Sequence, residues 1–122
     1  MNKKTILVVD DEDDMRYLLK KFFTTAGFNV LLCENGILAT PHISKADLLI
    51  TDFNMRGEMN GAELTKITKR EKPGMPVIIM TGTPLDVPVD HLANKVIEKP
   101  FKFKQLEEVI ADLLKEEGGC DG

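Results

Sequence analysis

Short, continuous runs of apolar and β-branched residues recur along the chain, and chemically active side chains follow most of them. The runs occupy residues 5–9, 30–32, 48–51, 77–80 and 96–97. Apolarity that is continuous, rather than alternating, is typical of strands that are covered on both faces, as in a parallel sheet. The pattern therefore predicts five buried strands with further layers of structure on both sides of the sheet.

Three of the intervening segments place apolar residues at helical spacing. The first of these helices is predicted to begin with Asp13 as its N-cap and Asp14 in its first turn, and Gly27 marks its C-terminal end. The other two helices lie within residues 60–73 and around residues 106–114. Segments of this kind can cover the faces of a parallel sheet.

Proline restricts the two remaining segments. Pro41 lies within residues 36–44, so any helix there is short or bent, and two prolines limit residues 84–94 to a turn or two. The alternation of strands with helical segments predicts a doubly wound α/β fold without a second domain. We expect the domain to span residues 1–117 and the glycine-rich residues 118–122 to form a flexible tail.

Charge and cysteine content exclude several classes of protein. The net charge of −4 and the pI near 5.2 do not fit the basic surface of a nucleic-acid binder, so we expect no direct contact with nucleic acid. The apolar run near the N-terminus is too short for a signal peptide, and no stretch approaches the length of a membrane span. The two cysteines lie far apart and read as free thiols. We therefore expect a cytoplasmic protein without membrane insertion.

Charged and polar side chains come directly after the predicted strands. Asp10 and Asp11 follow the first strand, Asp52 follows the third, and Thr81 and Lys99 follow the last two. Ligands of open parallel sheets bind beyond the carboxyl ends of the strands, so these side chains are predicted to meet at one site. Three close carboxylates need a cation, and Mg²⁺ favours such oxygen ligands. The set predicts a carboxylate nucleophile that accepts a phosphoryl group beside a metal ion.

Each of these residues also has a simpler interpretation when it is considered alone. An aspartate pair before a helix often serves as a cap, and an aspartate after a strand often forms a turn. A lone threonine at a strand end suits its β propensity, and a lone lysine is usually solvated. The hypothesis of a phosphoryl site rests on their occurrence together and in this order.

Four fragments of the sequence resemble the receiver domain of two-component response regulators. They are Val8-Val9-Asp10-Asp11-Glu12, Asp52-Phe53-Asn54-Met55, Met80-Thr81-Gly82 and Lys99-Pro100-Phe101. The resemblance extends from residue 4 to about residue 117. It implies a flavodoxin-like fold, in which a five-stranded parallel sheet of strand order 2-1-3-4-5 carries helices on both faces.

The resemblance also implies a role for each residue of the predicted site. Asp52 would be the phosphoacceptor, Asp11 a direct ligand of Mg²⁺ (or Mn²⁺), and Asp10 a ligand acting mainly through water. Asp52 and the backbone carbonyl of Asn54 would complete the metal site. Thr81 would move toward the phosphoryl group and Lys99 would pair with it. Such a domain catalyses only its own phosphorylation and dephosphorylation, and its Lys99–Pro100 bond is typically cis.

The partners implied by the resemblance are proteins. A sensor histidine kinase or a phosphotransfer protein would supply the phosphoryl group, and a further protein would read the changed surface. The chain is either a stand-alone receiver or the receiver of a larger regulator, and the sequence leaves a homodimer open. The alternative within the same fold is a receiver-like module that binds proteins without phosphate. A flavin-binding protein would need a phosphate-cradling loop where this chain has five consecutive acidic residues, 10–14.

Three features depart from the receiver pattern. The proline that usually follows Met55 is replaced by Arg56, and the loop appears one residue longer. Val96 occupies a position that often holds an aromatic ring coupled to the threonine, and residues 84–94 lack a regular helix pattern. We expect the loops after the third and fourth strands to respond to phosphorylation, either by another route or through a smaller shift.

Overall fold

The structure, a computed structural model, describes residues 3–57 and 59–118 of the 122-residue chain. The strands are β1 (Thr5–Val9), β2 (Asn29–Cys33), β3 (Leu48–Asp52), β4 (Val77–Thr81) and β5 (Lys95–Glu98). The α-helices are α1 (Asp13–Thr25), α2 (Gly36–Ala39), α3 (Gly61–Glu71) and α4 (Phe103–Gly118). Two 3₁₀-helices occupy Thr40–Lys45 and Pro84–Asp86. Residue 118 ends α4, and residues 119–122 of the predicted tail lie outside the described residues.

The five strands form one parallel sheet in the order β2-β1-β3-β4-β5, which confirms the predicted topology. The register places Val9 beside both Cys33 and Thr51. It also pairs Asp52 with Met80, and Thr81 with Glu98. The carboxyl ends of the strands are therefore level with one another, and the residues that follow them emerge at one edge of the sheet.

Alternate residues of the central strands supply the cores of two opposite layers. Leu19 and Phe23 of α1 and Leu106 and Ile110 of α4 pack on one face of the sheet. The opposite face carries the short α2, the first 3₁₀-helix and α3, which contribute Ala39, Ile43 and Leu64 to its core. β1, β3 and β4 are apolar along nearly their whole length, so side chains on both faces of the sheet have to be covered.

The start of α1 differs from the sequence prediction. Glu12, not Asp13, is the N-cap residue, and its side chain makes no capping hydrogen bond. Asp13 and Asp14 instead occupy the first turn, where their charges suit the helix dipole. The Glu12 N–H donates to Asp10 Oδ1 at 2.8 Å. This turn ends at Glu12, whose backbone is extended, so Asp13 is already the first helical residue.

The start of α3 carries a capping box. The Asn60 side chain accepts the Glu63 N–H and the Glu63 side chain accepts the Asn60 N–H, both at 2.9 Å, so two backbone donors are satisfied reciprocally. Gly61, the first residue of the helix, donates its N–H to the Phe53 carbonyl at 2.9 Å. This contact fixes α3 directly beside the end of β3.

The proline-containing segments are short, as predicted. α2 has 4 residues and leads into the 3₁₀-helix that contains Pro41. Between β4 and β5, the described helical structure is limited to the single turn Pro84–Asp86. None of the helices within residues 3–57 and 59–118 combines the length and apolarity that crossing a membrane requires.

Candidate functional site

Three carboxylates meet at the carboxyl edge of the sheet. Asp10 follows β1 directly, Asp11 is the next residue, and Asp52 is the last residue of β3. One oxygen of each carboxylate lies within 4.8 Å of the others. The sequence prediction that these three side chains converge is therefore confirmed, and the cause is the parallel pairing of β1 with β3.

Lys99 supplies the positive charge inside this cluster. Its Nζ lies 3.4 Å from Asp10 Oδ2 and 3.5 Å from Asp52 Oδ2. The Asp10 side chain is fully buried, and that of Asp52 is 10% exposed. The Lys99 N–H donates to the Thr81 carbonyl at 2.8 Å, which holds the start of this segment at the end of β4. The Lys99–Pro100 bond is cis.

One ammonium does not balance three carboxylates. Burial raises the pKa of Asp52 to about 6; Lys99 opposes this shift, and the charges of Asp10 and Asp11 add to it. A charged, partly desolvated carboxylate of this kind is stabilised by a further cation. The donor set consists of carboxylate oxygens, and it fits a hard divalent ion such as Mg²⁺.

The Thr81 hydroxyl is engaged away from Asp52. Its Oγ1 accepts the Thr83 N–H at 2.9 Å and lies 3.2 Å from Thr83 Oγ1. Thr83 Oγ1 in turn accepts the Asn54 side-chain amide at 3.1 Å. Thr83 is not among the site residues that the sequence predicts. A Thr-x-Thr spacing after a strand is the signal that could have indicated it, because a threonine hydroxyl commonly binds the N–H two residues on.

Arg56 lies at the rim of the acidic cluster. Its backbone N–H donates to Asp11 Oδ2 at 3.1 Å, and its Nε is 3.9 Å from the same oxygen. The side chain is 95% exposed, so most of its guanidinium faces solvent. A cavity of about 250 Å³ between Asp11, Glu34, Asn35 and Arg56 opens beside the cluster.

Gly61 allows α3 to approach the end of β3 closely. A Cβ at residue 61 would lie 2.5 Å from the Asp52 carbonyl oxygen and 2.9 Å from Phe53 Cα. Both neighbours are backbone atoms, so they cannot move aside as a flexible side chain would. Only glycine permits this close contact, which supports the position of the loop that carries Asn54.

Comparisons with known proteins agree with this architecture. The sequence model of the response regulator receiver domain matches residues 6–111. A chemotaxis protein CheY homolog from Campylobacter jejuni is 40% identical over 119 residues, which cover 89% of this chain and 91% of the homolog.

Two solved structures of response regulators are similar to this chain in three dimensions. The response regulator TrrA from Thermotoga maritima, solved in complex with Mg²⁺-BeF, is 31% identical with a TM-score of 0.80, covering 90% of this chain and 98% of TrrA. A CheY-like receiver domain protein from Methanospirillum hungatei is 25% identical with a TM-score of 0.86, covering 99% and 100% of the two chains. The chain therefore belongs to the family of response regulator receiver domains.

Proposed function

We propose that Asp52 is the phosphoacceptor of this receiver domain and that its phosphorylation switches the surface that protein partners read. The observation that carries the proposal is the position of the Asp52 carboxylate, at the end of a buried strand and beside two further carboxylates and one ammonium. Membership of the family makes the chain a signalling switch. The Asp52 carboxylate is proposed as the group that reacts.

In the proposed reaction, a carboxylate oxygen of Asp52 attacks phosphorus while the bond from phosphorus to the donor breaks. The product is an acyl phosphate on Asp52. Attack of water at phosphorus later returns the carboxylate and releases phosphate. The chain thus catalyses its own phosphorylation and dephosphorylation and acts on no other substrate.

The neighbouring residues have separate roles in this proposal. Asp10, Asp11, Asp52 and the Asn54 backbone carbonyl would hold Mg²⁺ or Mn²⁺. The metal, when bound, neutralises charge on the transferring group. Lys99 lies close enough to Asp52 to pair with a phosphoryl oxygen, and Thr81 would donate its hydroxyl to another. The complex of TrrA with Mg²⁺-BeF supports the metal assignment by analogy.

The phosphodonor is proposed to be a sensor histidine kinase or a phosphotransfer protein. A second protein is proposed to bind the changed surface of the phosphorylated domain. A phosphorylated aspartate adds up to about two negative charges at neutral pH, together with strong acceptor oxygens. Such a change can bias the loops that surround the site and thereby alter a binding surface.

The test is the intact mass of the protein after incubation with acetyl phosphate, with and without Mg²⁺. We expect the wild-type protein to gain one phosphoryl group only when Mg²⁺ is present, and Asp52→Asn to gain none. Asp90→Asn, which alters an exposed loop aspartate, is the matched control and should behave as wild type. If folded wild-type protein shows no gain from any donor, the chain is instead a phosphate-independent binding module.

A further inference from the structure

The residue at position 96 removes the usual means of coupling the site to the surface. Val96 is partly buried and packs against a small cluster formed by Phe53, Ala62, Ile79 and Val87. A valine has one branched, stiff side chain and no ring that could turn between an inward and an outward position. Coupling between Thr81 and the surface therefore needs another group.

Thr83 contacts the Thr81 hydroxyl through both its backbone and its side chain. Its N–H and its Oγ1 both lie within hydrogen-bonding distance of Thr81 Oγ1, at 2.9 Å and 3.2 Å. The same Thr83 hydroxyl accepts the Asn54 amide at 3.1 Å across 29 positions of sequence. One exposed hydroxyl thus connects the buried Thr81 with the loop after β3.

Thr83 also begins the segment that replaces a regular helix. Its carbonyl accepts the Asp86 N–H at 2.9 Å, which closes the single 3₁₀ turn at Pro84–Asp86. Val87, which follows this turn, is buried against Phe53, and Phe53 directly follows Asp52 in the sequence. A displacement of Thr83 is therefore transmitted to the turn that follows it, while Val87 anchors the far end of that turn.

We propose that Thr83 is the positioning residue that couples the Thr81 hydroxyl to residues 84–94. This inference rests on the proposed function. In the resting state Thr83 holds the Thr81 hydroxyl and the Asn54 amide together. When Thr81 moves toward a phosphoryl group on Asp52, its contact with the Thr83 hydroxyl has to break or carry Thr83 along. Either event changes the start of the 84–94 segment, and no aromatic ring at position 96 is needed.

The test compares wild type with Thr83→Val and Thr83→Ser by amide NMR, before and after addition of Mg²⁺ and beryllofluoride. Valine has the shape of threonine without the hydroxyl, whereas serine retains the hydroxyl. Thr83 is exposed, so both variants are expected to fold. We expect all three proteins to show shift changes at residues 52–54 on binding. The response of residues 84–94 should be reduced in Thr83→Val, which keeps only the backbone N–H contact with Thr81, and restored in Thr83→Ser.

A second measurement uses the resting protein and does not depend on phosphoryl chemistry. The side-chain amide signal of Asn54 should shift in Thr83→Val and stay near its wild-type position in Thr83→Ser. An unaltered 84–94 response in Thr83→Val, or an Asn54 signal that does not move, would overturn the coupling role. If wild type itself neither binds beryllofluoride nor is phosphorylated, the proposed function fails; the Asn54 signal then still reports on the resting contact alone.

Discussion

At the scale of single residues, the electrostatics of Asp52 link stability to chemistry. Burial and two neighbouring carboxylates hold the pKa of Asp52 at about 6, above its ordinary value of 3.8, although Lys99 acts in the opposite direction. The folded protein therefore binds this proton more tightly than the unfolded chain does. Protonated Asp52 therefore contributes to the stability of the fold. This contribution is fully present below pH 3.8 and is lost as the pH rises through about 6.

Asp52→Asn should therefore stabilise the metal-free protein in a pH-dependent way. The difference between 3.8 and about 6 corresponds to about 3 kcal/mol, which is the largest expected gain in the free energy of unfolding above pH 7. The gain should shrink toward zero near pH 4. Urea unfolding at several pH values, without divalent ions, measures it, with Asp90→Asn as the control. A gain that is independent of pH would contradict the role of charge.

Arg56 is expected to weaken metal binding slightly. Its guanidinium lies close to Asp11, a proposed metal ligand, but it is largely exposed. Arg56→Ala should tighten the binding of Mg²⁺ by about two- to fivefold at low salt, because an exposed ion pair of this kind has a modest effect. Arg56→Lys, which keeps the charge, is the matched control.

Calorimetric titration with Mg²⁺ checks this prediction at two ionic strengths. The effect of Arg56→Ala should fade at high salt, since exposed charges are screened there. Equal affinities of wild type and Arg56→Ala at low salt would show that the backbone N–H of residue 56, and not the guanidinium, is the relevant contact with Asp11.

At the scale of elements, continuous apolar runs predicted the strands well because both faces of the sheet are covered. Their ends were less accurate. β2 begins at Asn29 and β5 begins at Lys95, one residue before its apolar run, because pairing of the backbone does not require an apolar side chain at a strand end. The N-cap of α1 was assigned to Asp13 and lies at Glu12, because the turn closed by Asp10 ends at Glu12 and Asp13 is already helical.

The carboxylate cluster was also predictable, since its members follow adjacent strands. The contact between Thr83 and Asn54 was not, because it joins two loops whose relative position depends on the whole sheet. The partial burial of Lys99 and the similar distances from its ammonium to two aspartates likewise arise from the fold and carry no signal in the sequence.

Two glycines at helix starts provide a test of close packing. Gly61→Ala should destabilise the protein by about 1–3 kcal/mol, since its Cβ meets backbone atoms that cannot yield easily. Gly36→Ala should cost less, because its Cβ meets the flexible side chain of Met59 at 2.5 Å. Gly74→Ala, which has open space, serves as the control. Thermal unfolding measures all three, and a larger loss in Gly36→Ala than in Gly61→Ala would contradict this account.

At the scale of the whole molecule, one sheet joins the two core layers, so the domain should unfold as a unit. Leu106→Ala and Leu64→Ala remove fully buried side chains from opposite faces. Each should lower the free energy of unfolding by about 2–5 kcal/mol. Leu85→Ala is the control, because that side chain is 98% exposed.

Urea unfolding, followed by circular dichroism and by amide signals from each face, distinguishes unfolding as a unit from separate unfolding of the two layers. Coincident transitions are expected in every variant. A variant in which one face lost its signals at lower urea than the other would show that the two layers unfold independently.

The position of Asp52 within β3 separates two kinds of sequence change. Asp52 is the last paired residue of its strand, opposite Met80, whereas the Pro84–Asp86 turn and the exposed Leu85 and Val89 lie beyond the sheet. Substitutions in that outer segment can alter the surface that a partner meets without moving the Asp52 carboxylate. Gene duplication followed by sequence drift in the outer segment therefore offers a way to obtain a receiver domain that binds a different partner while its acidic cluster stays unchanged.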